Sequence, residues 1–373
     1  MGVPELIAVS RKYGSTPGWV LGGGGNTSFK TTEDLYIKAS GFSLATLDAD
    51  GVVRMSREKL AEIWRAEYPS EPSAREKRAL ADLMAARQPG EEPKRPSVET
   101  LMHDAFPQAY VVHTHPTLVN GLTCAVRGEK TCAEILPEAV WIPIVNPGYY
   151  LSRIIEEKLA SFAERNGAPA EIVILQNHGL VVASGTLEGI DALSERVMTA
   201  IKSATGSRPD TSPVAPDAAS DVIRGALEKR FASVMFGANA EMLRRIQSKE
   251  TFSEVAGSFS PDHIVYAGHT PLYVERTHET DAGAIAAGMD AAIDEYTRKH
   301  GASPKVIAVS GVGGFGCGST EKTAKLAVDL FKDAVEIAFY AASFGGVTFM
   351  PDEEVEFIRG WEVEAFRTQV STQ

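Results

Sequence analysis

The sequence predicts a mixed α/β protein built in two parts. Short β-rich runs alternate with segments of helical periodicity along the chain, and a stretch of proline and small polar residues, 206–220, divides it. The length of 373 residues is enough for two hydrophobic cores. Domains are therefore expected at 1–205 and 221–373, with 206–220 as a linker.

In the first part, strands are expected at 18–21, 35–39, 109–114 and 171–176, each rich in β-formers and bounded by glycine, proline or polar residues. Helices are expected at 57–68, 97–105, 151–165 and 187–205, and the charged, proline-interrupted segment 73–96 reads as a helix and a surface loop. In the second part, 221–249 reads as helical, 263–267 and 271–275 as strands and 281–300 as a helix. A buried strand at 305–310 is followed by a glycine-rich turn and a long helix to about Tyr340.

Composition narrows the function. A net charge of −12 suggests neither nucleic acid nor an anionic membrane as a partner. Cys124, Cys132 and Cys317 have neither the number of a disulfide framework nor the spacing of a zinc knuckle, and read as reduced thiols. The amino terminus lacks the charged, apolar, small order of a secretory signal, and no apolar run is long enough to span a bilayer. A cytoplasmic location is the expectation.

The strongest chemical signal is Val111-Val-His113-Thr-His115-Pro116. Alternate residues of a strand share a face, so both rings can reach one ion, and Pro116 ends the strand. His178 leaves the strand Ile172-Val-Ile-Leu through Gln176-Asn177 into Gly179; alone it reads as a structural histidine. Glu99 follows Pro96-Ser97-Val98 at a helix start with Ser97 as N-cap, where an acidic side chain also suits the positive helix end. Three imidazoles and a carboxylate together suit a borderline-soft ion such as zinc with one position open. His103, four residues after Glu99 on the same helix face, reads as structural.

Gly22 to Gly25 precede Asn26, Thr27 and Ser28. Glycines tolerate positive φ, successive amides form an anion-binding concavity, and the three polar side chains add donors. A second small-residue turn, Ala39-Ser40-Gly41, follows the strand Leu35-Tyr-Ile-Lys38. Each loop alone also reads as a plain hairpin turn.

Taken in order, these motifs resemble the class II aldolase/adducin family: Gly-Gly-Asn26-Thr27-Ser28, Lys38-Ala-Ser40-Gly41, Pro96-Ser97-x-Glu99-x-x-x-His103, His113-x-His115-Pro and Asn177-His178-Gly. The likeness is to the aldolase part of the bifunctional rhamnulose-phosphate aldolase/alcohol dehydrogenase proteins. It continues through Pro261-Asp-His263, the run from Val309 to Gly318, and 356–366, with the dehydrogenase half expected to be absent.

The resemblance implies a class II aldolase-like α/β/α sandwich plus a smaller C-terminal α/β domain, assembled as a homo-oligomer, a tetramer being favoured. Zinc, or another divalent cation such as Mn2+, would sit on Glu99, His113, His115 and His178, with Glu99 becoming the acid/base once substrate displaces it. Tyr149 or Tyr150 would be the catalytic tyrosine. Gly25, Asn26, Thr27, Ser28, Ser40, Gly41 and Ser97 would line a phosphate pocket, without the second serine that some single-function aldolases carry where Val98 stands. The implied reaction is retro-aldol cleavage of a ketose 1-phosphate of the rhamnulose or fuculose type. The same scaffold carries 4-epimerases, dehydratases and decarboxylases, and also non-catalytic adducin-like scaffolds marked by loss of the histidines.

In the second part, Gly311-Val-Gly313-Gly-Phe-Gly316 fits G-x-G-x-x-G, but no acidic residue follows at a dinucleotide site's spacing. The run is expected to serve packing or a minor anion site. His263, His269 and His278 are irregularly spaced and read as structural or solvent-facing.

Overall fold

The computed structural model describes residues 2–276 and 281–361. His278 and the part of 356–366 beyond Trp361 lie outside them. The described chain forms two compact units, one from residues 2–119, 128–204 and 361, the other from 120–127 and 205–360 less the four undescribed positions. Both are α/β, as the sequence predicts.

The first unit runs α1 (Val3–Ser15), β1 (Asn26–Lys30), β2 (Asp34–Lys38), β3 (Val52–Ser56), α2 (Arg57–Arg65), α3 (Pro72–Ala85), α4 (Thr100–Ala105) and β4 (Tyr110–Thr114). It continues with the start of α5 (Thr117–Thr123), whose residues from 120 on belong to the second unit, then α6 (Gly128–Ile135), β5 (Val140–Ile142), α7 (Tyr149–Asn166), β6 (Ile172–Leu175), β7 (Gly179–Ser184) and α8 (Leu187–Thr205). The strands make one sheet in the order β3-β2-β1-β4-β7-β6-β5, antiparallel except for β5 with β6. Strands β1, β4, β6 and β7 are buried along their whole length, which requires cover on both faces. One face carries α1 and α8, joined where the Tyr13 hydroxyl donates to Asp191 and Ser194. The other packs Met102 of α4, Phe106 just beyond its end, and Leu151, Ile155 and Leu159 of α7 onto Val111, Val173, Val181 and Ala183. The unit is an α/β/α sandwich.

Strand β1 devotes one face to α4. Period-two alternation points Asn26, Ser28 and Lys30 the same way, and all three bond that helix or the turn before it. Lys30 is buried and its ammonium donates to the carbonyls of His103, at 2.6 Å, and Phe106. Burial pulls its pKa down to about 7, opposed by Asp104 and assisted by Arg57. Lys30→Met should leave both carbonyls unpaired at the end of α4 and cost about 1–3 kcal/mol, measured by urea unfolding; an unchanged midpoint would show that the bonds contribute nothing.

The second unit runs α9 (Ala218–Leu227), β8 (Ser233–Gly237), α10 (Ala240–Arg245), α11 (Lys249–Phe252), β9 (Leu272–Val274), α12 (Ala282–His300), β10 (Val306–Val309), β11 (Gly313–Gly318), α13 (Glu321–Ala342) and α14 (Asp352–Gly360). Its sheet has the order β8-β11-β10-β9, with only β9 and β10 parallel. Ile223, Leu227, Ile285, Met289 and Ile293 close over Ile307, Val309 and Phe315 to make its core.

Four local expectations are corrected. Residues 18–21 are turn rather than strand, because Gly18 and Gly22 take positive φ. The segment 221–249 is broken by β8, whose partner β11 lies far along the chain and is invisible to local periodicity. His263–Ala267 is a π-helical turn, not a strand, ended by Gly268 at φ 85°. The glycine run after Val309 is mostly strand β11 instead of a turn. A Cβ on Gly316 would lie 2.0 Å from the Ala324 carbonyl oxygen, so its glycine lets α13 pack against the sheet.

Candidate metal centre

Three tertiary devices bring the expected ligands together. His113 is the fourth residue of β4 and sits opposite Asn26 of β1 and Val181 of β7, in the middle of the sheet. His115 follows the strand end, its amide tied to the Trp19 carbonyl at 3.1 Å. His178 closes the β6–β7 turn: Asn177 adopts φ 51°, the left-handed region that asparagine tolerates, and the His178 amide donates to Leu175 at 3.2 Å. Gly25 adopts φ 66°, and a Cβ there would lie 2.8 Å from the His113 carbonyl oxygen. Only glycine lets the preceding loop come that close.

The imidazoles converge. His113 Nε2 lies 3.0 Å from His115 Nε2 and 3.3 Å from His178 Nε2. Glu99 Oε1 lies 3.6 Å from the first and 3.5 Å from the last. His113 Nδ1 faces the Leu180 carbonyl at 3.0 Å, so it carries the proton and leaves the Nε2 lone pair aimed into the cluster. Glu99 Oε1 is buried without a hydrogen-bond partner. Nitrogens on one tetrahedral zinc would be about 3.3 Å apart, from a Zn–N bond of about 2.0–2.1 Å. Packed lone pairs beside an unsatisfied carboxylate oxygen fit a divalent cation, and the three histidine ligand atoms lie within 4.8 Å of one another.

Glu99 is held from behind. The Asn26 amide donates to its Oε2 at 2.6 Å and to the Ser97 hydroxyl at 3.2 Å. Ser97 in turn accepts the Glu99 amide at 3.2 Å, and the helix begins two residues later than a Ser97 cap implies, at Thr100. The Glu99 side chain is thus not a helix cap, because it is turned to the histidines. Burial would raise its pKa, but His113, His178, the Asn26 bond and His115 outweigh that and keep it well below the usual carboxylate range. At rest Glu99 is an anion.

His103 proves more than generic core. Since the Asn26 amide nitrogen serves Glu99, its oxygen must accept from His103 Nε2, leaving His103 Nδ1 to accept from the Ser28 hydroxyl at 2.7 Å. Burial, assisted by His113, pushes the His103 pKa well below its ordinary value, which favours this neutral tautomer. The sequence places it one helical turn after Glu99 without indicating this role.

The expected phosphate-pocket residues divide between the two faces of β1. Asn26, Ser28 and Ser97 lie together on the α4 face. Thr27 points the other way, and its hydroxyl bonds Ser10 of α1 at 2.6 Å, so only its backbone can serve the pocket. Ser40 donates its amide to the Arg95 carbonyl at 2.8 Å, and Gly41 turns the chain at φ 93°. Ala39 bridges Pro96, which brings this second turn beside Ser97.

The two tyrosines start α7. The Glu76 carboxylate accepts the Tyr149 amide at 2.7 Å and the Tyr150 amide at 3.1 Å, satisfying the helix's first donors. The Tyr149 ring packs on Tyr68, and Tyr150 lies under the Arg75 guanidinium. Among the described contacts, neither ring reaches the imidazoles.

Comparison with known proteins places this geometry. Residues 4–204 match the model of the class II aldolase and adducin N-terminal domain. The Bacillus subtilis (strain 168) protein named uncharacterized oxidoreductase YuxG is 27% identical over 412 residues, covering 98% of this chain. The chain spans 58% of that relative's length. The N-terminal class II aldolase domain of a conserved protein from Thermoplasma acidophilum is 27% identical, with a TM-score of 0.45, over 54% of this chain and 93% of its own. L-fuculose-1-phosphate aldolase from Thermus thermophilus is 18% identical, with a TM-score of 0.33, over 53% of this chain and 92% of its own.

Proposed function

Because the chain belongs to the class II aldolase and adducin family, we propose that it is a metal-dependent carbon–carbon lyase that cleaves a ketose 1-phosphate of the rhamnulose or fuculose type. The observation that carries this reading is the meeting of His113, His115, His178 and Glu99 around one point. A non-catalytic scaffold has no need to bury a carboxylate oxygen unpaired against imidazole lone pairs. A finer likeness, to the aldolase part of rhamnulose-phosphate aldolase/alcohol dehydrogenase proteins, belongs to the same proposal.

His113, His115 and His178 would hold zinc or a similar divalent ion, with Glu99 as fourth ligand at rest. Bound there, the ion would act as a Lewis acid on the substrate carbonyl and stabilise the negative charge that bond cleavage leaves on it. In the cleavage direction the C4 hydroxyl loses its proton, the C3–C4 bond breaks, the aldehyde departs, and C3 takes up a proton. Glu99, an anion at rest, is placed to take up the proton released from the C4 hydroxyl and to deliver it to C3. Its depressed pKa in the resting arrangement means it must first leave His113 and His178, which is what displacement by substrate would do. Asn26, kept in orientation by His103, then has its amide donor free for the substrate. The glycine loop before Asn26, together with Ser97 and the Ser40–Gly41 turn, would anchor the phosphate and so orient the reacting carbons.

The test is a screen of ketose 1-phosphates for release of a triose phosphate and an aldehyde, with zinc and after chelation. Activity should vanish on chelation and return with the ion. Full activity in chelated, metal-free protein would sink the mechanism. An epimer, a dehydrated product or CO2 in place of two fragments would move the chain to the 4-epimerase, dehydratase or decarboxylase chemistries of this scaffold.

A further inference from the structure

The second unit repeats the first in detail. Strands β8-β11-β10-β9 have the order and directions of β4-β7-β6-β5. One constant shift along the chain carries β6, β7 and the start of α8 onto β10, β11 and the start of α13 without a gap. The registers follow the same shift: Leu175 pairs Gly179 as Val309 pairs Gly313, and Ile172 pairs Val182 as Val306 pairs Gly316. On one side Ile142 pairs Leu175 as Val274 pairs Val309; on the other, His113 pairs Val181 as Phe236 pairs Phe315.

Features finer than topology agree as well. Asn177 at φ 51° corresponds to Gly311 at φ 68°. The turn bond from His178 to Leu175, 3.2 Å, corresponds to that from Val312 to Val309, 3.0 Å. The amide of Ala183 reaches the Glu171 carbonyl at 2.8 Å, as that of Cys317 reaches Lys305 at 2.8 Å. The Thr186 hydroxyl accepts the Gly189 amide at 3.1 Å, and the Thr320 hydroxyl accepts the Thr323 amide at 3.2 Å. Packing two α/β layers constrains strand order, but it does not dictate register, the left-handed turn residue and the helix cap together.

The same correspondence places Phe236 at the position of His113, Ala238 at that of His115 and Val312 at that of His178. Two of these positions meet beside the corresponding glycine. A Cβ on Gly179 would lie 2.8 Å from the His115 ring; one on the corresponding Gly313 would lie 2.7 Å from the Phe236 ring and 3.1 Å from Ala238 Cβ. Ala238 and Val312 are buried. No strand of the second sheet lies beyond β8, so among the described residues the copy has no equivalent of β1 with its Asn26.

We infer that the second unit is an internal duplicate of the β4–β7 half of the first, with its metal position closed by Phe236, Ala238 and Val312. The chain therefore carries one metal centre and one apolar counterpart of it, and the catalytic chemistry belongs to the first unit alone. The second site keeps the backbone geometry of a three-histidine site and lacks only the side chains.

Metal content tests this separately from any turnover. Purified protein loaded with Co2+ and freed of excess ion should hold one equivalent, read by elemental analysis and the visible d–d band, and His113→Ala/His178→Ala should hold none. In that double-variant background, Phe236→His/Ala238→His/Val312→His should restore one equivalent. A folded graft, checked by circular dichroism, that stays metal-free overturns the inference. So does native protein holding two equivalents, one of which survives loss of His113 and His178. Should the triple graft not fold, Ala238→His/Val312→His in the same background should show weaker uptake above background, and a folded protein with none would overturn the inference equally.

Discussion

His113→Ala should abolish the activity, with a loss on the order of 10^3-fold or more, set by the Lewis-acid contribution that goes with the ion. His113 is fully buried, its Nδ1 is fixed by the Leu180 carbonyl, and its Nε2 lies close to those of both other histidines. Alanine removes the nitrogen central to the cluster. Metal content should fall to background while the fold persists, since the strand's backbone pairing does not depend on this ring. Elemental analysis beside the ketose phosphate assay decides it. Full activity with bound metal would mean that the ion sits elsewhere.

Glu99→Gln should separate metal binding from turnover. Glutamine keeps an oxygen to accept from Asn26 and preserves the shape of the turn, while three imidazoles still hold the ion. Affinity should drop about 10–100-fold, the range for disturbed metal-site partners. Turnover should fall further, by about 10^2–10^4-fold with metal saturating, because an amide cannot carry the proton to C3. The effect should lie in kcat more than in KM. Equal loss of metal and of activity, cured by excess zinc, would reduce Glu99 to a ligand and remove its role as acid. In that case the proton must come from another group.

Much of the candidate site was legible because its residue types are chemically distinctive. His113-x-His115 on a β-branched run announces its shared face through the period of a strand, and β4 is where that pattern predicts it. The structure also supplies the left-handed Asn177 that local sequence merely permits. The role of His103 was not legible, since it depends on which Asn26 atom faces α4, and that depends on β1 pairing with β4. Thr27 shows the same limit. Reading Asn26, Thr27 and Ser28 as one donor group ignored the alternation that sends the middle side chain to Ser10. The duplicate was hidden for a further reason. Across the corresponding strands and turn only Gly179 with Gly313 and Val111 with Val234 are identical, because buried strands need apolar residues of suitable size and not particular ones.

By itself, then, the sequence determined the α/β class, the histidines of the candidate metal cluster and the local turns that permit them, since these follow from residue chemistry and short-range periodicity. Tertiary structure decided which faces those side chains share, that a glycine run becomes a strand beneath a helix, and that one fold half occurs twice. Such outcomes rest on pairings between segments remote along the chain, and no local pattern encodes the register in which two remote strands meet.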